Sequence, residues 1–204
     1  MPSFIMITET WLNENIPDAT ISLPGYSIHR TDRQATTGGG CLIYTSKQIP
    51  VSRVNDPSIC LIRDSVWIST TQTSPTLLLG CIYLPPSPTV DTLRALSDTF
   101  QSAHLLPYDA KLIAGDFNLP EIAWDVPIPT PRFRALLCQI ETDGWLQHVK
   151  APTRLKHVLD LVFSNGPISI TTAVGPYFPG SDHRFVFCKI NSINSLITPH
   201  THSH

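Results

Sequence analysis

Short runs of aliphatic, β-branched and aromatic residues recur along this chain between turn-forming residues, and this pattern limits the fold more than any other feature. Such runs, when bounded by Gly, Pro, Asn, Asp or Ser, are typical of β-strands. The runs are SFIMI, YSIH, CLIYT, VWIST, TLLLGCIYL, KLIAG, VLDLVF, ISITTA and RFVFCKI. Two longer segments, residues 90–106 and 131–142, instead place apolar residues at helical spacing. The pattern predicts a strand-rich α+β protein with helices packed on a sheet.

The length of the chain limits the number of domains. A chain of 204 residues is long enough for one domain with a sizeable core and too short for two. We expect one domain over residues 1–190 and a disordered tail over residues 191–204, where the apolar periodicity is lost. The histidines of that tail are expected to be solvated rather than metal-bound: His200, His202 and His204.

Charge and composition exclude several classes of partner. A formal net charge of −2 gives no overall basic field, so nucleic-acid binding requires a local basic patch. The apolar runs are too short to span a bilayer, and the N-terminal residues lack the basic region of a signal peptide. We therefore expect an intracellular protein, nuclear or cytoplasmic, with no membrane partner. The 5 cysteines form no CxxC pair and are predicted to be buried free thiols.

An acid and an amide close the apolar run in KLIAGDFNLP, at Asp116 and Asn118. Because alternate residues of a strand face the same side, both side chains are expected to enter one pocket while Phe117 faces the opposite side. The alternative is plain turn chemistry, in which Gly, Asp and Asn only end the strand.

A second acid, Asp160, lies inside the apolar run of HVLDLVFSN. A buried carboxylate is costly unless a donor or a cation satisfies it, and GSDHRFVFC offers His183 just before another strand. The sequence therefore predicts a hydrogen-bonded pair of Asp160 and His183. In the alternative, Ser181 and Asp182 form a turn and His183 is a surface side chain.

These motifs also resemble a known group of enzymes when they are taken in chain order. The order is Glu9 in FIMITETWL, Tyr83 in GCIYLPP, the GDFN motif, Asp160, and the SDH motif. The series resembles the endonuclease/exonuclease/phosphatase superfamily, Mg²⁺-dependent phosphodiesterases that include apurinic endonucleases. It is more closely similar to the endonuclease domain of non-LTR (LINE-type) retrotransposons, through ITETWLNENI, YSIHRTDRQATTGGGCLIYTSK and KAPTRLKHVLDLVFSN, and the likeness spans residues 4–190.

The resemblance implies a fold. It implies the DNase I-like α+β class, a four-layer α/β/β/α sandwich of two mixed β-sheets with outer helices. The family normally begins with a core strand that ends in a catalytic Asn and is followed by a helix, and MPSFIMITET contains no such segment. We therefore expect a domain truncated at its N-terminus, lacking that first strand and helix, with an unpaired sheet edge.

The resemblance also implies roles for single residues. Hydrolysis of a phosphodiester requires an activated water and relief of charge on the phosphoryl and leaving oxygens. The implied roles are Asp116 as the water-activating carboxylate, Asn118 as a phosphate donor, His183 on the scissile phosphate with Asp160 holding its ring, and Tyr83 as a phenol aimed at the phosphate. Glu9 and Asp182 are implied ligands of Mg²⁺, or of Mn²⁺ in its place. The implied phosphate or DNA contacts are Arg30, Arg33, Thr153, Arg154, Ser181 and Arg184. Structural alternatives are a first-turn acid at Glu9 and solvated surface positions for the arginines.

Three functional hypotheses follow. The leading one is a Mg²⁺-dependent DNA-nicking endonuclease domain of a retrotransposon-derived protein, monomeric, with DNA as its partner and with a C-terminal reverse transcriptase in a full-length element. The second is an inactive or weakly active truncated fragment of that domain. The third is a superfamily phosphodiesterase or phosphatase that acts on a small molecule or a lipid.

Overall fold

The apolar runs form strands and the helically spaced segments form helices in the computed structural model of the protein, which describes residues 1–33, 38–70 and 74–193. The strands are β1 (Phe4–Thr8), β2 (Tyr26–Thr31), β3 (Cys41–Ser46), β4 (Val51–Arg53), β5 (Ser65–Thr70), β6 (Leu77–Tyr83), β7 (Ala110–Asp116), β8 (Leu146–Gln147), β9 (Asp160–Asn165), β10 (Ile168–Tyr177) and β11 (Arg184–Ile193). The helices are α1 (Val90–Leu105), α2 (Arg134–Thr142) and a short 3₁₀ helix at Asp18–Ile21. Every predicted run is a strand. The strands β4 and β8 were not predicted because they are too short to show a period.

The largest sheet has six strands in the order β4-β5-β6-β7-β9-β8. The pair β6 and β7 is parallel and the other pairs are antiparallel, so this sheet is mixed. Parallel neighbours need a crossover, and α1 supplies it between β6 and β7. Both strands are almost entirely buried, which makes them the centre of the molecule.

The two α-helices cover one face of this sheet. Apolar residues of α1 such as Leu96 and Phe100 pack in one cluster with Trp67 of β5 and Phe163 of β9. The Phe100 and Phe163 rings meet edge-to-face with centroids 4.9 Å apart. Phe117 belongs to the same cluster, so the segment that follows β7 is anchored on the helical side of the sheet.

The opposite face is covered by a second layer, which consists of two separate pieces. One is the antiparallel sheet β1-β3-β2 and the other is the hairpin β10-β11. Phe4 and Met6 from the first piece and Ile170 from the second pack in one cluster with Leu79 and Leu112 of the large sheet. In the part of the chain that the structure describes, no strand pairing joins the two pieces.

The outer face of this second layer has no α-helix among residues 1–33, 38–70 and 74–193. Ile21, at the end of the 3₁₀ helix, packs instead with Tyr26 and Tyr44 on the outside of the three-stranded sheet. On the outer face of β11, Phe185 and Phe187 remain exposed. Packed sheets with helices outside confirm the predicted α+β class.

Three further expectations concern the termini and the cysteines. Strand β11 continues to Ile193, three residues beyond the predicted domain end, and the predicted histidines of the tail lie outside the described residues. Cys41 and Cys81 are buried free thiols, but the prediction of burial is wrong for three others that are exposed: Cys60, Cys138 and Cys188. No described helix combines the length and apolar composition needed to cross a membrane.

Candidate active site

Three polar residues occupy one row across the large sheet. Tyr83 ends β6, Asp116 ends β7 and Asp160 begins β9, and the strand register pairs Asp116 with both of the others. Residues directly opposite one another on neighbouring strands present their side chains on the same face. Tyr83 packs with the cluster between the two layers, so the row faces the second layer at one end of the sandwich.

Asn118 joins this row through a turn. Its backbone is left-handed, with φ of 45°, and its amide nitrogen donates to Asp116 Oδ2 and to the Leu84 carbonyl, each at 2.9 Å. The Asn118 backbone N–H also donates to Asp116 Oδ1 at 3.1 Å. Phe117 is buried in the helical core on the other side. The expected placement is therefore present, although β7 ends at Asp116 and a left-handed turn, rather than strand alternation, produces it.

His183 reaches the row from the second layer, where it immediately precedes β11. Its Nδ1 lies 2.8 Å from Asp160 Oδ2, so the predicted pair is present. The buried Thr153 fixes the start of β9, because its hydroxyl oxygen accepts hydrogen bonds from the backbone N–H groups of Leu159 at 3.1 Å and Asp160 at 3.0 Å.

Glu9 reaches the row from the end of β1. Its backbone is left-handed, with φ of 52°, an uncommon conformation for a residue other than glycine. The Tyr83 hydroxyl donates a hydrogen bond to Glu9 Oε1. The site therefore combines side chains from both layers of the sandwich.

Three residues of the site have raised pKa values. Burial raises the pKa of the Asp116 carboxyl to about 7, with the neighbouring Asp160 adding to the rise and His183 opposing it. The hydrogen bond to Asp160 raises the pKa of His183 above its usual value, against the opposing effect of burial. Burial, followed by the Glu9 carboxylate, raises the pKa of the Tyr83 phenol. Burial is thus the main cause of the raised pKa of Asp116 and Tyr83, and the hydrogen bond to Asp160 is the main cause of the raised pKa of His183.

The donor set fits a hard divalent cation. Ligand atoms of Asp116, Asp160 and His183 lie within 4.8 Å of one another, and Glu9 contacts the same row through Tyr83. Carboxylate oxygens are the ligands that Mg²⁺ prefers, and a cation would offset the buried negative charge described above. The structure brings the implied ligand Glu9 to this row.

The second implied ligand, Asp182, lies at the exposed rim. Its Oδ2 accepts a hydrogen bond from Arg154 Nε at 2.7 Å, and its Oδ1 is 4.0 Å from His183 Nε2. The Ser181 hydroxyl oxygen accepts a hydrogen bond from the His183 backbone N–H at 3.1 Å. Arg184 lies over the Tyr177 ring, 4.4 Å from its centroid.

Arg30 and Arg33 were expected to contact phosphate, but in the structure both bind acids of the chain itself. Arg30 is 3.2 Å from Asp18 and 3.5 Å from Asp32, and Arg33 binds both oxygens of Asp64. These carboxylates pair with the two guanidinium groups because they lie within reach in the fold, and among the described residues the buried Nη1 of Arg30 has no hydrogen-bond partner.

Asp64 is a buried residue near the site that is not among the candidates predicted from the sequence. It immediately precedes β5, and Arg33, which it binds, lies over the Tyr83 ring. A usable signal was present, because Asp64 adjoins the apolar run SVWIST at its start, just as Asp116 adjoins KLIAG at its end.

Comparisons with known proteins identify a family and a fold for this chain. Residues 77–187 match the family model described as Endonuclease-reverse transcriptase, and no curated protein matches the chain in sequence. The endonuclease domain of TRAS1, a telomere-specific non-LTR retrotransposon, is similar over 94% of this chain and 87% of that chain, with a TM-score of 0.68 and 14% identity. An AP endonuclease from Archaeoglobus fulgidus is similar over 94% and 90%, with a TM-score of 0.65 and 14% identity. A 3'-5' exonuclease from Neisseria meningitidis is similar over 93% and 89%, with a TM-score of 0.67 and 14% identity. At this level of identity the structural likeness concerns the fold, and it confirms the DNase I-like class.

Proposed function

The chain belongs to the endonuclease–reverse transcriptase family, within the endonuclease/exonuclease/phosphatase superfamily, and we propose that it is a divalent-cation-dependent phosphodiesterase that nicks DNA. One observation supports this most strongly. Six polar side chains from both layers converge at one end of the sandwich: Glu9, Tyr83, Asp116, Asn118, Asp160 and His183. Because one chain supplies all of them, we propose that the domain acts as a monomer.

Asp116 is the proposed general base. A base is most effective when its pKa lies near the working pH, and the pKa of about 7 places Asp116 there. Asn118 is proposed to orient this carboxylate. Both hydrogens of its amide nitrogen are already donated, to Leu84 and to Asp116, so orientation suits the geometry better than direct phosphate donation.

His183 is the proposed cationic donor to a phosphate oxygen. Asp160 accepts from Nδ1 at 2.8 Å, which fixes the ring and favours the protonated imidazolium. The proton on Nε2 is then available to a nonbridging or leaving oxygen. Arg154 at the rim is the proposed contact for a flanking phosphate, since its guanidinium is partly exposed.

Glu9 is proposed to hold the cation, Mg²⁺ or Mn²⁺, with Asp116, Asp160 and the more exposed Asp182 close by. When bound there, the cation supplies charge neutralisation for the phosphoryl oxygens and the leaving oxygen. Tyr83 is proposed to hold the Glu9 carboxylate in place.

A polymeric substrate is favoured over a small molecule by the shape of the surface. The cavity beside Asn118 has a volume of about 240 Å³ and is lined by Pro86, Pro120, Arg154 and Leu155, among others. Small-molecule sites typically have volumes of ~300–1,000 Å³. A small cavity of this kind beside the site suits a strand that lies across the surface, and a 3' phosphatase of similar fold from Neisseria is bound to a product DNA hairpin.

The test is nicking of supercoiled plasmid DNA by the purified chain, with Mg²⁺ and with EDTA. We expect open-circle product only with the cation. Equal cleavage in EDTA, or no cleavage with either Mg²⁺ or Mn²⁺, would overturn the proposal.

A second candidate is a domain that binds DNA but cuts it weakly. It is favoured by the divided second layer, since β1 and β11 are not paired with each other in the described part of the chain. Plasmid retardation in Ca²⁺ at concentrations that give little nicking in Mg²⁺ would support this candidate over the first.

A further inference from the structure

Asp64 and Arg33 form a buried ion pair that is held by several hydrogen bonds. Arg33 Nε donates to Asp64 Oδ1 at 3.1 Å and to Oδ2 at 3.0 Å, and Arg33 Nη2 donates to Oδ2 as well. The Gly40 backbone N–H donates to Oδ1 at 3.0 Å. Asp64 is buried and Arg33 is largely so, which makes this a fixed element of the interior.

The guanidinium held in this way lies against the active site. Its central carbon is 5.5 Å from the centroid of the Tyr83 ring, within the distance of a cation–π contact. Tyr83 in turn donates to Glu9. Four side chains thus form a continuous series in the order Asp64, Arg33, Tyr83, Glu9.

The glycine-rich loop explains how Arg33 fits there. Gly39 has φ of +69°, and a Cβ at this position would lie 2.3 Å from Arg33 Cζ. The Gly39 carbonyl also accepts a hydrogen bond from the Trp11 backbone N–H at 3.0 Å, two residues beyond Glu9. Gly39 therefore packs on the Arg33 guanidinium and is also hydrogen-bonded to the segment that contains Glu9.

We propose that Asp64 is a positioning residue of the cation site, which holds the Arg33 guanidinium against Tyr83 and thereby prevents it from pairing with Glu9. This inference rests on the proposed function, because it takes Glu9 as a cation ligand. Glu9 is the other carboxylate whose charge acts on Arg33. Without Asp64, the partly buried Arg33 guanidinium would lack a carboxylate partner, which is unfavourable, and we expect it to pair with Glu9 instead. A carboxylate that is paired with arginine is a poor ligand for a cation.

Direct binding of Mn²⁺, measured by electron paramagnetic resonance of the free ion without DNA, tests this arrangement. We expect Asp64→Asn to weaken Mn²⁺ binding ~10-fold or more, because it releases Arg33. Arg33→Gln is expected to change the affinity less than ~3-fold, and the double variant Arg33→Gln with Asp64→Asn to recover to within ~3-fold of wild type. A role confined to stability predicts no recovery in the double variant.

Asp109→Asn is the matched control. Asp109 accepts hydrogen bonds from the Thr76 backbone N–H at 2.7 Å and from the Thr76 hydroxyl at 2.9 Å. It lies just before β7, seven residues from Asp116 at the catalytic end of that strand. It should leave Mn²⁺ affinity unchanged. Nicking kinetics give a second measurement, in which Asp64→Asn should raise the Mg²⁺ concentration needed for half-maximal rate and leave the rate at saturating Mg²⁺ within ~3-fold of wild type.

The outcomes separate this inference from the proposed function. Wild-type protein that neither binds Mn²⁺ nor nicks DNA overturns both. Wild-type protein that does both, together with Asp64→Asn of unchanged affinity, overturns the positioning role alone. So does a double variant that binds as weakly as Asp64→Asn. If Asp64→Asn alone fails to fold, the double variant is compared with wild type, and a loss of Mn²⁺ affinity of ~10-fold or more in the double variant overturns the positioning role.

Discussion

Asp116 on β7 is paired in register with Asp160 on β9, so two carboxyl groups face each other at the end of the sandwich. The Asp160 side chain is bound to His183 at 2.8 Å, whereas Asp116 accepts hydrogen bonds from Asn118. Burial and then the neighbouring Asp160 raise the pKa of the Asp116 carboxyl to about 7, which is near the pKa of an effective general base. Asp160 itself is the hydrogen-bond acceptor for the His183 ring.

The stability of the cation-free protein should fall as the pH rises from about 5 to 8. The folded pKa of Asp116, about 7, lies above the usual 3.8, so the folded state keeps a proton that the unfolded state has lost. The raised pKa of His183 acts in the same direction above pH ~6.5. Urea denaturation in EDTA should show the fall, with a slope of at most ~1.4 kcal/mol per pH unit for each group.

Asp116→Asn isolates this effect, because His29 and His148 have lowered pKa values and give an opposite slope near pH 6. The variant should be less sensitive to pH than the wild type over the same interval. Equal pH profiles for the two proteins would show that Asp116 does not titrate near neutrality. Saturating Mg²⁺ should lower the Asp116 pKa and flatten the wild-type profile, because the cation favours the carboxylate.

Asp116→Ala should lower the rate of DNA nicking by ~10²–10⁴-fold, the usual effect of losing a general base. The far-UV circular dichroism should stay close to that of wild type, since the residue lies at a strand end. Plasmid nicking at equal concentrations of folded protein provides the measurement. Exposed Asp91→Ala is the control, and loss of structure in proportion to activity would assign Asp116 a structural role instead.

His183→Ala and Asp160→Asn should not have additive effects on stability. The first change leaves Asp160 without its donor, whereas the double variant removes both partners of the 2.8 Å hydrogen bond. The double variant should be more stable than the sum of the single losses by ~0.5–3 kcal/mol in urea denaturation. The histidine resonances of Asp160→Asn should also show a lower pKa for His183. Additive losses would remove the pair from the mechanism.

Thr153→Val should destabilise the protein by ~1–3 kcal/mol, because its fully buried hydroxyl accepts hydrogen bonds from the backbone N–H groups of Leu159 and Asp160. The valine has the same shape and cannot accept them. Thr153→Ser keeps the hydroxyl and should lose much less stability. If the two variants are equally stable in thermal denaturation, the hydroxyl does not anchor β9.

Most of the secondary structure and several residues of the candidate site could be predicted from the sequence alone. Period-2 and helical spacing placed the long strands and both α-helices, because side-chain burial follows the repeat of each element. Asp160 could be selected without a structure, since an acid inside an apolar run needs a partner, and His183 was the partner found. The short strands β4 and β8 were not predicted because they contain too few residues to show a repeat.

The sequence could not predict which charged side chains form ion pairs, because that depends on the packing of distant segments. Arg33 and Asp64 are separated by 31 residues, and nothing local distinguishes an arginine that binds phosphate from one that binds an internal carboxylate. The positions of Arg30 and of the exposed cysteines were decided in the same way. Periodicity shows which face of its own helix or strand a residue occupies. Ion pairs and solvent exposure depend instead on which elements pack together, and that packing is fixed by contacts between distant parts of the chain.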